Sequence, residues 1–341
     1  MSVKSLPAAP STLVPLVLIA PFFLWGTAMV AMKGIMLHTT PLFVAGVRLV
    51  PAGLLVLGLT VVLNLEQPKT GKAWAWIALF ALLDGLMFQG FLAEGLLRTG
   101  AGLGSVMIDS QPIVIALLSS WLFGELIGLW GWLGLGIGVL GITLIGLPAD
   151  GWAVLLRAEP SAIAFQWSAL FNNGQWLMFL ASLSMALGTV SIRYVSRHVD
   201  PVVATGWHMI LGGVPLFVMS GLWETEQWAA LTGPDWGALA YATVFGSAIA
   251  YALFFWIASS GNLTSFTSLT FLTPVFALVF SHLLLTEVLN PVQWWGVVLT
   301  LVSITLINQR DGLAQWTATK FAPTRSEQPS QVPAKVEGDS P

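Results

Sequence analysis

Three ionisable side chains, Arg48, Asp84 and Asp109, stand inside long apolar runs, where a charge is costly and has to be used or paired. The stretch SVMIDSQPIV, residues 105–114, carries Asp109 three positions before Pro112, with no other charge between Arg98 and Glu125. The stretch LLDGLMFQG carries Asp84 and, five positions on, Gln89. An arginine pairs with a carboxylate through charge-assisted hydrogen bonds. An aspartate binds an amine or carries a proton. Pro112 removes a backbone N–H and bends the helix that holds it, and Pro274 does the same in the second half. These residues, with Gln89, Trp25 and His208, are the candidates for a polar pocket. The competing reading is a buried ion pair between Arg48 and an aspartate that only orients helices. Asn262 and the ladder Thr264, Thr267, Ser268, Thr270 and Thr273 either line the same pocket or hydrogen-bond between helices.

The elements that position these groups follow from composition. Of 341 residues, 56% are hydrophobic and 9% charged, against about 25% charged in a soluble domain. Too little charge is present to coat a surface in water. The 34 glycines and 17 tryptophans suit close helix packing and membrane interfaces. A bilayer core of ~30 Å needs about 20 helical residues. Ten segments qualify: 13–36, 41–63, 73–94, 99–123, 129–148, 174–196, 201–222, 236–258, 263–285 and 292–309. From the helical rise of ~1.5 Å per residue, Arg48 lies roughly 10 Å deep, Asp109 about 16 Å and Asp84 about 17 Å. The first apolar run is read as a retained span rather than a signal peptide. Segment 1–12 precedes it in the cytoplasm, 149–173 forms a polar linker, and 310–341 is expected as a disordered cytoplasmic tail.

Lysine and arginine set the orientation. With the N-terminus in the cytoplasm, that side holds Lys4, Lys69, Lys72, Arg193, Arg197, Arg310 and three tail cations, while the other holds Lys33, Arg98 and Arg157. Both termini are therefore expected inside. The chain also repeats. One constant shift lays Pro112 on Pro274, Glu125 on Glu287, Trp132 on Trp294 and Gly134 on Gly296, and ITLI at 142–145 on ITLI at 304–307. A shift shorter by two positions lays Pro41 on Pro201 and places His208 where the first copy has Arg48. Two copies of five spans, 13–148 and 174–309, enter the membrane from opposite sides, because five is odd. An inverted repeat of this kind suits two halves rocking about a midplane site.

The residues FFLWGTAMVAMKG, GAGLGSVMIDSQPIVIALLSSWLFGE and NLTSFTSLTFLTPVFALVFSHLLLTEVLNPVQWWGVVLTLVSITLI resemble spans of EamA-type members of the drug/metabolite transporter superfamily. The resemblance covers about residues 13–309. It implies ten spans, two EamA repeats and export of small organic metabolites. The segment MIDSQP departs from the family's small or apolar residues at that place.

Other classes are disfavoured. Net charge is −3, so nothing points to nucleic acid. With no cysteine there is no disulfide, thiolate metal site or cysteine nucleophile. An intramembrane aspartyl enzyme needs two close carboxylates, and neither Asp84 nor Asp109 sits in a Gly-x-Gly-Asp context. A channel or facilitator for a small polar solute is the main alternative. No cofactor or metal is expected. Glu125 and Glu287 are read as helix-end residues that pair with backbone donors at the start of the next span. Gly134 and Gly138 are read as a close-packing face, with a homodimer contact as the alternative, and Lys33 and Arg193 as snorkelling cations. The expectation is an all-α, multi-pass protein of a plasma or inner membrane. It exports a small solute, an amino acid or similar zwitterion being favoured. Alternating access is driven by a proton or by exchange, and the pathway is lined by Arg48, Asp84, Asp109, Gln89, Trp25 and His208.

Overall fold

The structure is a computed structural model and describes residues 14–33, 35–98, 108–109, 111–146, 174–259, 261–285 and 291–321. The linker 149–173, Glu287 and segment 1–12 lie outside the described residues. Among the described residues every regular element is helical. In chain order these are α1 (Val14–Lys33), α2 (Pro41–Val62), α3 (Gly71–Arg98), α4 (Gln111–Phe123), α5 (Gly128–Gly146), α6 (Gly174–Val195), α7 (Pro201–Trp223), α8 (Gly233–Ala258), α9 (263–285), α10 (Pro291–Asn308) and α11 (Arg310–Phe321). Six of them, α1 to α3 and α6 to α8, are long and apolar enough to cross a membrane, and α4, α5, α9 and α10 contain shorter apolar helices.

Local chemistry sets the helix starts. Pro41 and Pro201 open α2 and α7 at a position that needs no backbone N–H. Thr70 caps α3 by accepting from Ala73 N, and Asp200 caps α7 by accepting from Val202 N. Thr232 and Asp235 form a reciprocal capping box at α8. Two helices change winding in mid-course. The centre of α3, Ala81–Phe88, is π-helical, and so is the centre of α8, Val244–Ile249. The shift that lays Pro112 on Pro274 also lays one of these segments on the other. In α9 a 3₁₀ turn, Ser268–Phe271, precedes Leu272–Leu285, so Pro274 lies in the first turn after the change of winding. Pro112 likewise lies in the first turn of α4. Pro274 thus lies beside a change of winding in mid-course of α9.

Helices of the two halves pack on each other in matched pairs. α2 lies along α7, and α5 along α10; α1 meets α8 and α9, as α6 meets α3 and α4. Glycine permits the α2–α7 contact. A Cβ on Gly46 would come within 2.8 Å of the Phe217 backbone, and one on Gly53 within 2.7 Å of the Gly206 carbonyl. Gly134 and Gly138 pack within the chain, against Ile307, Ser303 and Phe271. The largest apolar cluster joins both halves through Phe22, Ile77, Phe80, Met185, Val203, Phe254 and Phe255. The outer surface stays apolar, with Leu54, Val62, Trp121, Leu222 and Trp295 exposed. Where composition predicts disorder beyond residue 310, the chain continues as α11 to Phe321. Arg310, at its start, is buried against Gly131 of α5, and that contact holds the helix in place.

Candidate functional site

A cavity of about 90 Å³ lies where α1, α2, α3, α4, α6, α8 and α9 converge. Trp25, Arg48 and Asp109 line it, joined by Gln111, Tyr251, Thr270 and Thr273. Arg48 is buried and donates from Nη2 to Gln89 Oε1 and from Nη1 to Met32 Sδ at 3.4 Å. Gln89 passes the connection on, donating from Nε2 to the Tyr251 hydroxyl at 2.6 Å. Gln89 and Tyr251 are 162 residues apart and so occupy equivalent places in the two copies. Their hydrogen bond marks where the two halves meet. Tyr251 had no signal in single-residue reasoning, because it stands in an apolar run without a charge; the repeat shift applied to Gln89 points to it.

Much of the lining has no protein partner. Among the described residues, the Trp25 indole N–H, Arg48 Nε, both amide atoms of Gln111 and the hydroxyls of Thr270 and Thr273 are buried without a hydrogen bond. Each such group loses about 1–3 kcal/mol relative to its hydrated state. Trp25, Arg48, Gln111, Thr270 and Thr273 all line the one cavity. Gln111 and Thr273 are related by the same shift as Gln89 and Tyr251, and each stands one position before a proline, Pro112 or Pro274. A cation, a carboxylate and neutral donors and acceptors therefore face one small volume drawn from both halves. A larger recess of about 290 Å³ between α2 and α8 is lined only by apolar residues such as Leu55, Leu59 and Leu253, and offers a polar solute nothing.

The structure divides the predicted set. Arg48, Asp109 and Trp25 line the cavity, and Gln89 backs Arg48. Arg48 and Asp109 form no ion pair within the cavity. Asp84 and His208 lie outside its lining and face each other, Nε2 to Oδ2, at 3.1 Å. They are 0% and 1% exposed. Helix depth assigns Asp84 a layer, but depth says nothing of which way a helix is turned.

Two polar clusters tie the halves at opposite ends of α7. At its C-terminal end Glu224 accepts from Leu42 N at 2.9 Å, Phe43 N at 3.0 Å and the Thr40 hydroxyl at 2.7 Å, capping α2. Beside it His38 Nδ1 lies 3.0 Å from Asp235 Oδ2, which also accepts from Thr232. At the other end Glu125 accepts from Leu263 N and Thr264 N and from the Thr264 hydroxyl. It caps α9 of the second half, not the neighbouring α5, because the end of α4 packs on the start of α9. Arg193 reaches Glu125 at 3.0 Å, stands 4.5 Å over the Phe123 ring and donates to the Gly261 carbonyl. It is thus held by partners from both halves. The Lys33 side chain lies outside the described residues.

The comparisons agree with this architecture. The EamA-like transporter family matches twice, at residues 12–147 and 172–309. An uncharacterized transporter of Synechocystis is 62% identical over 298 residues, covering 87% of this chain and 90% of that one. A WAT1-related chloroplast protein of Arabidopsis thaliana is 47% identical, covering 87% and 69%. The uncharacterized inner membrane transporter YedA of Escherichia coli is 25% identical, covering 85% and 89%. One crystal structure superposes with a TM-score of 0.70 at 14% identity, covering 86% of this chain and 96% of that one; it shares the fold. A doubled family match, long apolar helices and a charged cavity between two halves lead to one conclusion: the chain is a multi-pass integral membrane transporter and belongs to the EamA-like transporter family.

Proposed function

We propose that this transporter exports a small zwitterion, an amino acid or a close analogue, by alternating access between two inverted five-helix halves, 13–148 and 174–309. The observation that carries this reading is the cavity: one permanent cation, one carboxylate and several polar groups without protein partners around about 90 Å³. Arg48 takes the carboxylate of the solute and Asp109 its ammonium group, while Gln111, Thr270 and Thr273 complete the hydrogen bonds. A phosphorylated sugar fits less well, since Arg48 is the one permanent cation among the described residues of the lining. Ten spans with both termini in the cytoplasm place the Glu224 cluster outside and the Glu125–Arg193 cluster inside. Each ties one half to the other, so the two act as gates opened in turn. The matched helix contacts support this reading, since exchanging the halves maps α2–α7 and α5–α10 onto themselves and the contacts of α1 with α8 and α9 onto those of α6 with α3 and α4.

The test is counterflow in proteoliposomes, with a panel of radiolabelled amino acids, organic acids and amines. Saturable exchange of zwitterions, lost in Arg48→Gln and in Asp109→Asn, is the expected result. Exchange of acids alone or amines alone would remove one of the two contacts. Flux that never saturates and shows no counterflow would make the protein a channel.

A further inference from the structure

We propose that Asp84 and His208 form a proton-binding site, separate from the Arg48 cavity, through which solute movement is coupled to proton movement. The proposal rests on the transport reading above and adds the site of its driving ion.

Hydrogen-bond bookkeeping carries the argument. His208 Nδ1 lies 2.6 Å from the Thr205 carbonyl. A carbonyl only accepts, so Nδ1 carries a hydrogen. A neutral ring with its hydrogen on Nδ1 presents a lone pair at Nε2, and Nε2 lies 3.1 Å from Asp84 Oδ2. Two lone pairs would then face each other in a dry interior. One proton between them turns the contact attractive, whether imidazolium faces carboxylate or imidazole faces carboxylic acid. The pair therefore binds one proton. Loading forms one N–H or O–H bond, and unloading returns that proton to water.

The surroundings suit such a site. Phe80 stacks on the His208 ring at 4.1 Å between centroids, Phe255 meets it edge-on at 5.5 Å, and Tyr251 lies 6.4 Å away. Aromatic faces favour a cation. Glycine clears the space: a Cβ on Gly188 would come 2.7 Å from that of Asp84, and one on Gly212 would come 2.4 Å from Gly85 Cα. Asp84 also lies in the π-helical segment of α3, and such segments recur at functional sites.

The repeat supplies the decisive contrast. His208 matches Arg48, and Asp84 matches Gly246. On one side of the molecule an acid fills the position facing the base. On the other, glycine stands there, and both Arg48 and Gly246 line the cavity. The same architectural place is thus closed by a proton-sharing pair in one copy and open to solute in the other. Tyr251 touches both sites, through its ring to His208 and through Gln89 to Arg48. Because Asp84 is on α3 and His208 on α7, the shared proton ties the two halves, and its loss loosens them. Tyr251 and Arg48 are the ionisable groups beside the pair. Lys72 and the mutually paired Glu94 and Arg98 stand about three turns away along α3. On α6, Arg193 is held by Glu125.

Two measurements test this. The first needs no solute. A chain with His38, His198 and His282 replaced by Gln leaves His208 as the one histidine for ¹⁵N NMR in lipid nanodiscs. Nδ1 should stay protonated while the Nε2 signal changes with pH as the pair gains and loses its proton. The transition should be displaced or absent in Asp84→Asn. A bare Nδ1, no transition, or one untouched by Asp84→Asn would overturn the proposal. The second uses proteoliposomes and a radiolabelled mixture of the twenty common amino acids. His208→Gln should keep counterflow and lose accumulation driven by a pH gradient. Wild-type accumulation in this variant, or loss of both activities in a well-folded sample, would overturn it. If the single variant aggregates, the double variant Asp84→Asn/His208→Gln, which removes the lone-pair clash, takes its place under the same criteria. If wild-type protein shows no amino-acid counterflow, the zwitterion reading fails, and the spectra alone decide the proton site.

Discussion

Asp109 and Arg48 share a cavity without pairing, and this decides what their replacement does. Removing one partner of a buried ion pair costs roughly 3–5 kcal/mol, because the other charge is stranded. Asp109 has no such partner in Arg48, so Asp109→Asn should leave the melting temperature in detergent unchanged or raised while abolishing counterflow. A fall in stability rescued by adding Arg48→Gln would show that the two form a structural pair after all. Arg48→Gln alone should behave differently. It removes the donor to Gln89 Oε1 and disturbs the Gln89–Tyr251 bond. A loss of about 1–3 kcal/mol is expected, the usual range for an orphaned buried acceptor, read as a lower melting temperature alongside lost transport.

At the scale of the element, glycine position separates packing from mere helix content. Gly212 touches Gly85 backbone to backbone between α7 and α3. Gly212→Ala should therefore destabilise by about 1–3 kcal/mol, as overpacking does. Gly58, on the same kind of helix, has nothing within 4 Å of an added Cβ. Gly58→Ala should be neutral or stabilising by up to about 1 kcal/mol from helix propensity alone. Melting curves of the two variants in one detergent compare them directly, and equal shifts would refute the α3–α7 contact. The π-helical segments of α3 and α8 belong to the same scale. The first is followed at once by Gln89, and the second by Ala250 and then Tyr251, the two partners of the bond between the halves.

For the whole molecule, topology and gating are open to direct measurement because the chain has no cysteine. Single cysteines at Thr225 and Lys69, both exposed, report the two faces. An impermeant maleimide should label Thr225→Cys in intact cells and Lys69→Cys only after lysis. The opposite pattern would reverse the membrane orientation and the direction assigned to each gate. The proposed inner gate rests on Glu125 and Arg193, whose side chains are 10% and 14% exposed. Glu125→Gln should lower stability by about 1–3 kcal/mol, between the values for exposed and buried pairs. Because Glu125 also caps α9, labelling of Thr264→Cys by a maleimide added after lysis should rise in the same variant. Unchanged labelling would mean that this cluster is not a gate.

The sequence by itself determined the features that depend on neighbours along the chain. Apolar run length determines which segments can be spanning helices, and a constant shift between matching residues, Pro112 with Pro274 and ITLI with ITLI, revealed two copies. Arg48 and Asp109 were legible as candidates because a charge in an apolar run is conspicuous wherever it lies, and both line the cavity. Tertiary structure decided everything that depends on which way a helix faces. Asp84 and Asp109 look alike in sequence, yet one meets His208 and the other a cavity, because the rotation of each segment is set by packing against the other half. Tyr251 and Gln111 carry no charge and fall among apolar neighbours, so only convergence of helices distant in sequence could bring them to the site. Glu125 was legible as a helix-end residue, but its partner lies 138 residues away at the start of α9. Local hydropathy fixes the elements, while the partners of buried polar groups are chosen by long-range packing, which no single stretch of sequence contains.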